Sequence, residues 1–292
     1  MGQIKIINPG LMTTVQDLGR YGYQQYGTGG EIGASINDAP VCMNKSIAVK
    51  TGDVLSFKGI NKGCRCYAAF AGGIDVPVVM GSKSTFLKAE IGGYEGRALR
   101  TGDILNTGAL AGLPFSLLER RAESFYDYGS GNVKLRVVLG PQEDAFTKEG
   151  IDVLFSNEYS VTSNSDRMGY TLEGAAIRHR DSADIISDGI AMGAIQVPSK
   201  GNPIIMMADR QTTGGYTKIG NVITVDLPKI AQAKPGDKVV FEKVSLSEAH
   251  RLYKNLEEKF ISLKASLNNK NIKNYNIKIN DIIYEVKIEE IE

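Results

Sequence analysis

Hydrophobic and polar positions alternate along this chain in short stretches, and glycines close the stretches off. Three segments share one pattern: Lys50-Thr-Gly-Asp-Val-Leu, Arg100-Thr-Gly-Asp-Ile-Leu and Lys234-Pro-Gly-Asp-Lys-Val-Val-Phe. A glycine at positive φ followed by Asp makes a tight turn, and the apolar run after it predicts a strand. Short strands spaced by such turns point to barrels or sandwiches rather than to alternating strand–helix units. The recurrence also suits an internal duplication, with one barrel-like half over residues 1–125 and another over 133–243. One helix is legible, over 244–265. Ser245 and Glu248 have capping-box spacing, and Ala249, Leu252, Tyr253, Leu256, Phe260 and Leu263 recur at helical spacing. That stripe predicts packing against a barrel. In the remainder, 266–292, a polar linker leads to a tail that alternates with period two about Asn280-Asp281, a hairpin signal. An isolated hairpin is marginal and needs something to pack on.

Composition narrows the function classes. The 292 residues carry 34 Lys and Arg against 33 Asp and Glu, a formal charge of +1. Nothing there suggests a basic nucleic-acid face, so no nucleic-acid partner is expected. The longest apolar runs, such as Pro203-Ile-Ile-Met-Met-Ala208, fall far short of the roughly 20 residues of a membrane span, and Met1-Gly-Gln-Ile-Lys5 has no signal-peptide core. Three cysteines cannot all pair. A reducing cytoplasm is the expected location. Cys64-x-Cys66 reads as a strand with both thiols on one face, and without a second pair or a nearby His no zinc site is expected. The reading for these thiols is two small buried side chains. The two histidines, His179 in a polar turn and His250 on the helix surface, lack a Gly-x-Ser-x-Gly elbow to complete a Ser-His-Asp triad.

Candidate chemistry sits in four polar, glycine-bordered segments. They begin at Pro9, Ser165, Ser187 and Met207. The last, Met207-Ala-Asp-Arg-Gln-Thr-Thr-Gly-Gly-Tyr216, offers a carboxylate, a guanidinium, an amide and two hydroxyls before a glycine pair. Glycines let backbone N–H groups approach an anion, and Arg210 has the geometry for a bidentate carboxylate or phosphate contact. The alternative is a hydrogen-bonded turn with an Asp–Arg surface pair. Gly81-Ser-Lys-Ser-Thr85 lacks the features of a phosphate-binding loop and reads as a turn.

The same segments resemble the KipA family, also called the 5-oxoprolinase C-subunit family or the biotin-dependent carboxyltransferase family. The resemblance rests on Pro9-Gly-Leu-x-Thr-Thr-Val-Gln-Asp-Leu-Gly-Arg20, Ala71-Gly-Gly-Ile-Asp-Val-Pro77, Gly81-Ser-x-Ser-Thr85, Gly92-Gly-x-Glu-Gly-Arg97, Ser165-Asp-Arg-Met-Gly-Tyr170, Ser187-Asp-Gly-Ile190, Gly193-Ala-Ile-Gln-Val-Pro198 and Ala208-Asp-Arg-Gln-Thr-Thr-Gly-Gly-Tyr216. It implies a mainly β fold of two cyclophilin-like barrel halves, followed by the C-terminal helix and the short hairpin tail. It implies an obligate partner, a KipI-like B subunit, often joined by an A subunit. It also implies the opening of 5-oxoproline to glutamate at the expense of ATP with Mg2+. A chain of this kind would be nearly inactive without its partners. The alternatives are a carboxyltransferase component of a biotin-dependent urea or amide carboxylase, some relatives being allophanate hydrolase subunit 2, and a KipA-type regulator that antagonises a kinase inhibitor.

Two departures stand out. Where Gly27 runs into Thr28, the family has several dozen further residues, so the resemblance implies an apparent missing segment at 27/28, either a true deletion or a mobile segment absent from this sequence. The tail resembles the opening strands of a biotin carrier domain but lacks the Met-Lys-Met attachment motif, so no biotin is expected on this chain.

Activating an unreactive amide puts negative charge on its oxygen, which oriented donors must neutralise. Arg167 and Arg210 are assigned that electrostatic role, and Asp188 or Asp209 the role of orienter, metal-side ligand or base. A carboxylate beside Arg has a lowered pKa, which favours orientation over base chemistry. Gln16, Gln196, Gln211 and Thr212 would hold the amide or phosphate. Asp17, Arg20, Tyr170, Thr213, Gly214, Gly215 and Tyr216 complete the expected binding set.

Overall fold

A computed structural model of the chain describes residues 3–6, 10–15, 31–108, 131–268, 272–279 and 282–289. Two compact units emerge: one drawn from Met1–Val15, Gly33–Lys58 and Tyr67–Glu123, the other from Gln16–Ile32, Gly59–Cys66 and Ser124–Glu292. The 27/28 junction, together with Gln16, Asp17 and Arg20, lies outside the described residues.

The first unit is built from two sheets. One has the order β1 (Gln3–Lys5), β6 (Val54–Lys62), β3 (Glu31–Ile36), β4 (Ala39–Pro40); the other runs β5 (Lys45–Val49), β2 (Gly10–Val15), β7 (Tyr67–Phe70). Ile6, Val49 and Leu55 form its buried centre.

The second unit contains a closed seven-stranded barrel. Its strands are β8 (Asn132–Leu139), β9 (Glu158–Ser165), β10 (Gly169–Glu173), β12 (Ala194–Gln196), β13 (Ile204–Met206), β15 (Lys218–Val222) and β16 (Lys238–Lys243), in the order β10-β13-β12-β15-β8-β16-β9. Period-two alternation sets the inward face: Val133, Leu135 and Val137 on β8, Tyr159 and Val161 on β9, and Val239 and Phe241 on β16 are all buried in one core. Closure leaves no free sheet edge among these strands.

All three Gly-Asp turns form in the same way. Gly52, Gly102 and Gly236 have φ of 93°, 96° and 93°. The carboxylates of Asp53, Asp103 and Asp237 accept the backbone N–H of Lys50, Arg100 and Lys234 at 2.7, 2.7 and 2.9 Å. Strands β6 and β16 follow the first and third turns. None follows the second, where Ile104 is 61% exposed and the segment is tied by an isolated bridge from Thr107 to Ile74 and by the Arg97–Asp103 ion pair. An apolar run without a partner strand and a face to cover it does not become a strand.

The expected helix is α3 (Leu246–Asn268). Ser245 Oγ accepts the Glu248 N–H at 3.2 Å, but the Glu248 carboxylate turns to Arg251, so only half of the capping box forms. Ala249, Leu252, Leu256 and Phe260 pack on Ile223, Val225 and Val138, while Tyr253 is 38% exposed. Two shorter helices, α1 (Lys148–Ser156) and α2 (Leu227–Ala231), were not legible in the pattern. α1 starts at Thr147, whose Oγ1 accepts the Gly150 N–H at 2.9 Å. The tail is a hairpin of β17 (Ile272–Ile279) and β18 (Ile282–Glu289), in register from Ile272 opposite Glu289 to Ile279 opposite Ile282.

Cys64 and Cys66 correct the strand expectation. They lie in the loop after β6, where Gly63 turns the chain at φ 77°. Both are half-buried, and burial pushes both thiols up from their ordinary pKa. The loop is pinned by Gln232, whose Oε1 accepts the N–H groups of Cys64 and Arg65 at 2.8 and 2.9 Å.

Candidate functional site

Three of the glycine-bordered segments meet at one end of the barrel. Backbone bonds tie them: Asp209 N–H donates to Arg167 O at 2.7 Å, Met207 N–H to Met168 O at 2.9 Å, and Ile190 N–H to Thr212 O at 2.9 Å. Residues 187–190 and 212–216 form a separate two-stranded ribbon, β11 (Asp184–Gly189) with β14 (Thr213–Tyr216), in which Asp188 lies opposite Gly214.

This ribbon covers the outer face of the barrel wall. On β12 and β15 the residues face two environments, with a register irregularity between Ile195 and Gln196. Ile195 and Ile219 point inward and are fully buried in the barrel core. Gln196 and Lys218 lie directly opposite one another across the two strands and occupy the other face. They are nevertheless only 2% and 5% exposed. Ile190 from the ribbon packs on Ala194, Met206 and Ile204 beside them. Gly214 has to be glycine because a Cβ there would stand 2.7 Å from Ile190 Cδ1 and 3.0 Å from Gln196 Nε2.

The polar groups in this seam are unevenly satisfied. Gln142 bridges it, accepting the Lys218 N–H at 3.0 Å and donating to Asp188 Oδ2 at 3.1 Å. Lys218 Nζ stands 3.3 Å from Asp188 Oδ2, close enough for charge attraction but not aligned as a hydrogen bond. Gln196 Nε2 has no hydrogen-bond partner among the described residues. The Gly189 N–H and the Lys218 ammonium hold the Asp188 carboxyl below its ordinary pKa, so Asp188 is an anion at neutral pH and a poor base there.

The two arginines are differently placed. Arg167 is bidentate to Asp209, with Nε and Nη2 donating at 2.7 and 3.0 Å. This is the Asp–Arg pair, formed across two loops rather than within the 207–216 turn. Arg210 donates Nε to Ile190 O at 2.9 Å and Nη1 to Met207 O at 3.3 Å, which braces the ribbon. Gln211, Thr212, Thr213 and Tyr216 are exposed, and Gly215 is half-buried. Tyr170 is not brought to this group. Its ring is 2% exposed in the barrel core, and its hydroxyl accepts from Arg65 Nη1 at 2.8 Å and lies 3.3 Å from Ala231 O. Burial pushes the Tyr170 hydroxyl above its ordinary pKa.

Lys218 and Gln142 are the residues that the sequence pattern missed. The available signal was a single lysine within the buried run of β15, opposite a single glutamine within β12. Among the described residues no group of three His, Cys, Asp or Glu side chains is placed to hold a metal ion. No helix of the described residues is long and apolar enough to cross a membrane.

The model of the family described as carboxyltransferase domain, subdomain A and B, matches residues 26–243, and the chain belongs to that family. Among its relatives, the C subunit of 5-oxoprolinase from Escherichia coli is 32% identical over 320 aligned positions, covering 92% of this chain and 100% of the relative. That length exceeds the 292 residues present, so the relative carries residues with no counterpart here. The Haemophilus influenzae protein of the same name is 36% identical, with 81% of this chain and 74% of the relative covered. In structure the chain is similar to Kluyveromyces lactis urea carboxylase, with a TM-score of 0.71 and 28% identity over 91% of this chain. The match takes in 24% of that longer protein.

Proposed function

We propose that this chain is the C subunit of an ATP-dependent 5-oxoprolinase, opening 5-oxoproline to L-glutamate together with a KipI-like B subunit, and with an A subunit. One observation carries this reading. A relative named as the C subunit of 5-oxoprolinase aligns over its whole length, whereas the urea carboxylase match takes in a quarter or less of that protein. The chemistry of the seam is in keeping with it. Ring opening drives negative charge onto the lactam oxygen, and buried donors aimed at one point are what stabilises such charge.

The described residues do not fit ATP with Mg2+. Among the described residues no group of three His, Cys, Asp or Glu side chains is placed for a metal ion, Arg167 pairs with Asp209, and Arg210 donates to carbonyls. On this reading the nucleotide is held by the partner, and the contribution of this chain is to bind and orient the amide. The test is 5-oxoproline-dependent ATP hydrolysis measured with the chain alone, with the B subunit present, and with the A and B subunits both present. Turnover is expected only in the assembled mixtures, and none in the complete mixture would reject the reading.

The second reading is a carboxyltransferase component acting on urea or another amide. The structural similarity to a urea carboxylase favours it. It requires bicarbonate and a biotinylated carrier on another chain, and those two requirements separate it from the first.

A further inference from the structure

We propose that Lys218 and Gln196 are the donors that receive the carbonyl oxygen of the planar amide, beside Asp188 of the β11–β14 ribbon. This rests on the reading of the chain as an amide-handling component of an enzyme, and it adds the residues that do the recognising.

Both side chains are more than nine-tenths buried, and both carry donor hydrogens without an aligned acceptor. Buried polar groups in folded proteins are nearly always paired, and a buried ammonium is the costlier exception. Their positions make them one receptor rather than two accidents. They face each other across adjacent antiparallel strands, where opposed Cβ atoms stand about 4.5–5.5 Å apart. The pairing sets the two side chains beside one another, and the proposal has one oxygen accept from both donors.

Asp188 supplies the complement. Its carboxylate is 58% exposed and lies 3.3 Å from Lys218 Nζ. A lactam is locked cis, with its C=O and N–H on one edge, and urea presents the same edge. An acceptor beside a donor matches it: the amide N–H donates to Asp188, and the carbonyl oxygen accepts from Lys218 and Gln196. The ammonium is then in place where the oxygen gains charge.

The test separates a lysine kept for a ligand from one kept for the fold. Full-length chains carrying wild-type sequence, Lys218→Met or Gln196→Met are compared by thermal melting, with and without 5-oxoproline or urea. Lys218→Met is expected to melt at or above the wild-type temperature. It removes a buried charge, and Asp188 is left facing water. At least one of the two compounds is expected to raise the wild-type melting temperature, and that shift should vanish in Lys218→Met and shrink in Gln196→Met. In the assembled complex, Lys218→Met should lower kcat about 10²–10³-fold. A Lys218→Met chain that melts several degrees lower, a ligand shift that survives the substitution, or no shift from either compound would overturn the proposal. If wild-type complex shows no 5-oxoproline-dependent ATP hydrolysis, it is the enzymatic reading that fails. The melting comparison still decides the role of the two donors.

Discussion

Strands β12 and β15 show two faces built on opposite physical terms. Inward, Ile195 and Ile219 are fully buried among apolar neighbours and make the barrel stable. Outward, Gln196 and Lys218 are almost as deeply buried, yet they are polar and poorly satisfied. The inward face is what any β-barrel needs. The outward face lowers stability, and a fold tolerates that where the group serves a ligand. Burial by itself therefore does not mark a residue as structural. The pairing of the buried atoms does.

That contrast can be broken at several points. Ile219→Ala should have the largest effect, about 2–5 kcal/mol of lost stability from the transfer and cavity terms together, read as a lower denaturation midpoint with unchanged cooperativity. If Ile219→Ala and Lys218→Met destabilise equally, the two faces are not different in kind. Gly214→Ala should come next, at about 1–3 kcal/mol. Its Cβ meets Ile190 Cδ1 and Gln196 Nε2, so the ribbon must shift. Faster amide exchange across 184–190 and 213–216, with barrel strands still protected, is the expected signature; a uniform loss of protection would put Gly214 in the core rather than the ribbon.

The smallest effect is a titration. Asp188 has its carboxyl pKa depressed first by the Gly189 N–H and then by Lys218. A depressed carboxylate supports the folded state fully above its ordinary pKa of 3.8 and loses that support as pH falls through the lower, folded value. In Lys218→Met the Asp188 pKa, followed by carboxyl NMR, should rise part of the way toward 3.8, the Gly189 bond keeping it low. No movement would show that Lys218 and Asp188 do not interact in solution.

Much of the local structure could be read from the residues. The Gly-Asp turns at 52, 102 and 236 formed as expected because each depends on four consecutive residues and one positive φ. The stripe from Ala249 to Phe260 and the period-two tail likewise report local periodicity. The site was only half legible. Arg167, Asp209, Asp188 and Gln196 could be named as polar residues near glycines, but their partners could not. Arg210 stands in a loop suited to anion binding, and the fold turns it onto the carbonyls of Ile190 and Met207. Tyr170 follows a polar turn, and the alternation of β10 sends its ring into the core.

What the residues alone determined is therefore the local currency of this protein: turns, one amphipathic helix, a hairpin, a β-rich chain and its family. Only the tertiary structure decided which polar groups share a seam. Lys218 would face water on an uncovered strand. It is buried because a ribbon that includes residues 184–189 folds over the wall that carries it. That contact joins segments about thirty positions apart, and no periodicity within either one encodes it.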